Sequence, residues 1–102
     1  MEIHRRKKIE IVVESGIVPD VVEWLTSHAV KGYTTVPKAS GFGRQGHRRT
    51  EEISGVFENT LVIAIASEET ARRILAESVE RFRDYAAIVY LSDVEVARPD
   101  HF

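Results

Sequence analysis

With 102 residues, 43% apolar and 29% charged, the chain reads as one globular domain with a single modest core. A formal net charge of −2 and the absence of cysteine exclude a long-range pull on nucleic acid, disulfides and thiolate chemistry, and suit a cytoplasmic setting. No apolar run approaches the ~20 residues of a membrane span, and no apolar stretch follows the basic start at residues 5–8 as a secretory leader would require.

Residues 8–13 alternate, with Ile9, Ile11 and Val13 on one face, as a half-buried strand does. Pro19 suits the start of a helix, with Asp20 and Glu23 near its positive end. Val18, Val22, Leu25 and Ala29 recur at helical spacing and form its predicted apolar stripe, with Trp24 beside it as a core or subunit-contact residue. Gly32 closes that region, and residues 33–36, rich in β-branched side chains, read as a second strand.

Residues 60–66 form a clear third strand. Ser67 then caps a second helix, and Glu68 and Glu69 suit its first turn. Its predicted inner face carries Ala71, Ile74, Leu75, Ser78, Val79 and Phe82. Residues 87–91 and 94–96 read as two short strands about a turn at Ser92 and Asp93. The expected fold is α+β: a ferredoxin-like βαββαβ order with an additional short C-terminal strand, in an antiparallel sheet with two helices on one face.

Residues 39–57 connect strands two and three without periodicity, longer than the ~12–15 residues that ordinary connections reach. Three glycines and three arginines fall within residues 41–49. Gly41, Gly43 and Gly46 permit a cradle of backbone N–H groups, and Arg44 offers a planar, permanently charged clamp for phosphate or bicarbonate. Gln45 is a candidate to orient the anion or a ribose. A basic cluster on an acidic chain marks a small-anion site more readily than a polyanion site. The acidic second half, with Glu51, Glu52 and Glu58, would let the segment order around an anion or a partner. His4, His28, His47 and His101 show no metal-ligand spacing, so no metal is expected.

Gly41-Phe42-Gly43-Arg44-Gln45-Gly46-His47, placed after the second strand, resembles the Gly-Phe-Gly-Arg-Gln-Lys-Gly-His motif of PII signalling proteins. Val30-Lys31-Gly32-Tyr33-Thr34 resembles that family's approach strand. The resemblance implies a homotrimer binding adenine nucleotide in clefts between subunits, with residues 39–57 as the T-loop that responds to ligand and docks on a target. The lysine expected between Gln45 and Gly46, the glycine-rich phosphate loop after the second helix and any tyrosine in 39–57 are all missing. Nitrogen sensing through 2-oxoglutarate is therefore not implied.

Residues 84–90 and 94–99 resemble instead the closing Asp-Tyr-Ala-Gly-Ile-x-Tyr and Val-Glu-Val-x-Arg-Pro of PII-like proteins associated with inorganic carbon and carboxysomes. That resemblance implies a sensor, not an enzyme, for ADP or AMP, with ATP or cyclic AMP as further candidates, together with bicarbonate. It also implies a protein target such as a bicarbonate transporter or carboxysome component. Thr34 falls at a position lining the nucleotide cleft, and Ala87 stands where relatives carry glycine. Arg98 would reach a neighbouring subunit's phosphate site. His47, Arg48 and Arg49 are candidates for ligand or target contacts. A slow ATP or ADP hydrolase using the same arginines and a cation-tolerance-type trimer of the same fold are the alternatives. The first lacks a visible catalytic constellation, the second a histidine-carboxylate set.

Overall fold

The computed structural model describes residues 3–39 and 58–102. Within them β1 (His4–Glu14) leads through a 3-10 turn (Ser15–Ile17) into α1 (Val18–Ser27), followed by β2 (Tyr33–Ala39). Then come β3 (Asn59–Ala66), α2 (Glu68–Arg81), β4 (Ile88–Val96) and a final 3-10 turn (Pro99–His101). The four strands form one antiparallel sheet in the order β2-β3-β1-β4. This is the ferredoxin-like α+β fold read from the sequence.

Ile9, Ile11 and Val13 of β1 and Val62, Ala64 and Ala66 of β3 face the helices and are buried. Trp24 of α1 joins them at 5% exposure. Phe82 packs edge-on to the Trp24 ring at 5.5 Å, and the Arg81 guanidinium lies 5.2 Å from its centroid. The Trp24 indole Nε1–H donates to Glu77 Oε1 at 2.9 Å, and His28 Nε2 lies 2.8 Å from the same oxygen. One carboxylate on α2 thus ties down both a residue within α1 and the residue that caps its C-terminal end. The two bonds hold the Glu77 carboxyl below its ordinary value, the Trp24 bond contributing most.

Several sequence expectations change. β1 starts at His4 rather than residue 8, because residues 4–7 are laddered against β4, with β3 joining from Lys7 onwards, which no apolar period reveals. The buried stripe of α1 is Val21, Trp24 and Leu25. Val22 is only half-buried and Ala29 is exposed. α1 ends before Gly32: Ala29 takes φ 64, its N–H donates to the Thr26 carbonyl and the Val30 N–H to the Leu25 carbonyl. That is a Schellman cap with alanine in the left-handed position. On α2, Ala71, Ile74, Ser78 and Phe82 are buried, but Val79 is 78% exposed on the flank of the helix.

The additional C-terminal strand is also corrected. Ile88–Val96 is one continuous strand, with Ser92 facing Lys8 and Asp93 facing Lys7. Asp93 accepts an ion-paired hydrogen bond from the Lys7 ammonium, which holds its carboxyl below the ordinary range. A cross-strand partner therefore keeps a turn-prone dipeptide extended.

The sheet face opposite the helices carries Val12, Leu61, Ile63 and Ile65, half-buried, with Val36, Ile88 and Tyr90 exposed. No described element covers that face. Among the described residues no helix is long and apolar enough to cross a membrane.

Candidate functional site

The sheet has two ends, and the candidate residues divide between them. At one end β2 finishes at Ala39 opposite Asn59, and Asn59 also faces Glu14, the last residue of β1. The Ser15 N–H donates to the Glu58 carbonyl, and the Ser15 and Thr60 hydroxyls lie 2.6 Å apart. The 3-10 turn that opens α1 is thereby fastened to the strand leaving segment 39–57. Ala87 belongs to this end, since Ile88 faces Val12 two residues before Glu14.

Ala87 is half-buried against the core. Its N–H donates to the Tyr85 carbonyl at 3.0 Å, and the Tyr85 N–H donates to the Phe82 carbonyl at 3.0 Å. The crossing from α2 to β4 is thus a tight, hydrogen-bonded turn. A cavity of about 230 Å³ lies beneath it, lined by Ile17, Asp20, Val21, Arg81, Phe82 and Tyr85. That is smaller than the ~300–1,000 Å³ of typical small-molecule sites.

Arg98 lies at the other end. β4 finishes at Val96, opposite His4 at the start of β1, and Arg98 is exposed just beyond. The final turn is held by Lys31, whose Nζ donates to the Asp100 carbonyl at 3.0 Å. Thr34 sits between the two ends on the uncovered face, in one row with Ile63, Glu10 and Tyr90. The Tyr90 hydroxyl donates to Glu10 Oε2 at 3.2 Å. Desolvation first, and that bond second, raise the Tyr90 ionisation above its ordinary value.

The chain therefore brings Ala87 to the base of segment 39–57 and keeps Arg98 and Thr34 away from it. Gly41, Gly43, Arg44, Gln45, Gly46, His47, Arg48 and Arg49 lie outside the described residues. Two further features of the loop base were missed in the sequence. Asn59 Oδ1 is buried without a hydrogen-bond partner among the described residues. Lys38 takes φ 61 at a register shift in β2. Pro37 was the available signal for the second, because proline inside a strand marks an edge or a bulge. Among the described residues no group of three or more His, Asp or Glu side chains is placed to hold a metal ion.

The family model of nitrogen regulatory protein P-II matches residues 6–101 of this chain. No curated protein matches it. Among solved structures, CPII of Thiomonas intermedia bound to ADP, AMP and acetate has a TM-score of 0.86 at 26% identity, covering 100% of this chain and 98% of that one. The same protein bound to ADP, AMP and bicarbonate has a TM-score of 0.86 at 27% identity, covering 99% and 96%. A putative PII-like signalling protein of Thermus thermophilus has a TM-score of 0.81 at 34% identity, covering 100% and 99%.

Proposed function

The chain belongs to the nitrogen regulatory protein P-II family, and from that premise we propose that it is a non-enzymatic, PII-like sensor of adenine nucleotide and bicarbonate. Three copies form the working unit, and ADP or AMP binds in the clefts between them, with ATP and cyclic AMP as further candidates. Residues 39–57 act as the T-loop. Gly41, Gly43 and Gly46 cradle the anion, Arg44 clamps it and Gln45 orients it. His47, Arg48 and Arg49 face ligand or target. Arg98 comes from the neighbouring copy, and Thr34 lines the cleft. The Ala87 methyl narrows the space left for phosphate.

The observation that carries this reading is the division of the candidate residues between opposite ends of one sheet. The strand geometry of a single chain does not let Arg98 reach the loop base, so a site using both needs a second copy. The uncovered apolar sheet face gives such copies a surface to bury. The solved CPII forms hold ADP and AMP with acetate or bicarbonate, which is the ligand pairing proposed here.

The mechanism is linkage. Ligands that contact the loop favour its ordered form, and a protein target in inorganic-carbon handling, in the cytoplasm, responds to that population. Calorimetry of the purified chain with AMP, ADP, ATP and cyclic AMP, each with and without bicarbonate, tests the proposal. Binding of ADP or AMP, tightened by bicarbonate, is expected. Absence of binding to all four nucleotides would overturn it.

A further inference from the structure

β2 does not run straight into the segment that follows it. Pro37 faces Thr60 and Ala39 faces Asn59, so three positions of β2 meet two of β3, and Lys38 is the extra residue. It adopts φ 61, the left-handed region that a side chain makes costly and that glycine enters freely. The bulge gives Ala39 the place opposite Asn59 that Lys38 would otherwise hold, and turns Lys38 out of the alternation.

Lys38 is exposed and makes no ion pair among the described residues. Backbone strain of this kind clusters at ligand clamps and persists where the surroundings impose it. Lys38 is three residues before Gly41, which limits their separation to about 11 Å of extended chain.

We propose that Lys38 is a further oxyanion-binding residue at the loop base, contacting either a nucleotide phosphate or the small inorganic anion. The assignment rests on the nucleotide-and-bicarbonate reading above. The strained bulge is then the device that aims an ammonium at the ligand, where a regular strand would bring it opposite Asn59.

The experiment is calorimetric titration of ADP into the full chain, and of bicarbonate into the ADP-loaded chain, for wild type, Lys38→Gly and Lys38→Arg. Loss of one charge-assisted contact should weaken one of the two titrations about tenfold or more in Lys38→Gly. Whichever titration moves identifies the phosphate or the inorganic anion as the partner. The thermal midpoint of Lys38→Gly should not fall, because glycine accepts the same backbone, and Lys38→Arg should keep its affinity. Unchanged affinity in Lys38→Gly, an equal loss in Lys38→Arg, or a lowered midpoint accompanying the loss would each overturn the assignment. A wild-type chain that binds neither ligand would instead remove the sensor reading, and this inference with it.

Discussion

Ala87 and Arg98 lie beyond opposite ends of β4, whose nine residues Ile88–Val96 span about 30 Å. If both serve one ligand, they serve it from different copies. Mixing Arg44→Ala with Arg98→Ala chains by joint refolding tests this directly. Each variant alone should bind ADP weakly. Random assortment in equal mixture should restore roughly a quarter of the clefts to the wild-type pair. No recovery in the mixture would place Arg98 outside the neighbour's site.

Arg44 is the first cation expected to contact the ligand. Deleting one charge-assisted contact costs about 1.5–3 kcal/mol, so Arg44→Ala should weaken ADP or bicarbonate binding roughly ten- to hundred-fold. Calorimetry checks this, with circular dichroism to show that the fold is retained. Equal affinity in the variant would remove Arg44 from the site.

Ala29 holds the left-handed position of the cap that ends α1, at φ 64. Glycine enters that region without the Cβ penalty, so Ala29→Gly should stabilise the fold by about 1 kcal/mol. For a chain of this size the thermal midpoint should rise by about 4–8 °C. A fall would mean that the added freedom of the unfolded chain outweighs the relief of strain.

Glu77 gives the fold a defined acid response. Its folded-state ionisation is depressed by the Trp24 and His28 bonds, so its contribution is present above the ordinary value of 4.5. That contribution is lost as pH falls through the lower folded value. Glu77→Gln should therefore be less stable than wild type at neutral pH, and the gap should close in acid. Urea midpoints followed by Trp24 emission measure both arms. A gap that stays constant with pH would show that the carboxylate charge contributes nothing.

The apolar alternation of β1 is read correctly from the sequence, whereas helical spacing misassigns Val22, Ala29 and Val79. Ile9, Ile11 and Val13 alternate so regularly that a one-residue slip would expose all three. Ser67 accepts from the Thr70 N–H at 3.2 Å, as its place before α2 implied. Errors arose where a partner distant in sequence overrode local preference. Asp93 reads as a turn residue until Lys7 stands opposite it. Val21 and Trp24 displace Val22 and Ala29 from the predicted stripe because the orientation of α1 is set by packing on α2, while Val18 stays packed against the core.

The candidate site divides in the same way. Its chemistry is local, since three glycines and three arginines within residues 41–49 specify an anion grip through backbone freedom and guanidinium charge alone. Which distant residues can join that grip depends on strand order and register, which are properties of long-range pairing. Only the tertiary structure placed Ala87 at the loop base and Arg98 a full strand away, and only it revealed the bulge at Lys38. Short-range chemistry is written into adjacent residues. Distances across a sheet arise from hydrogen-bond ladders that no single segment contains.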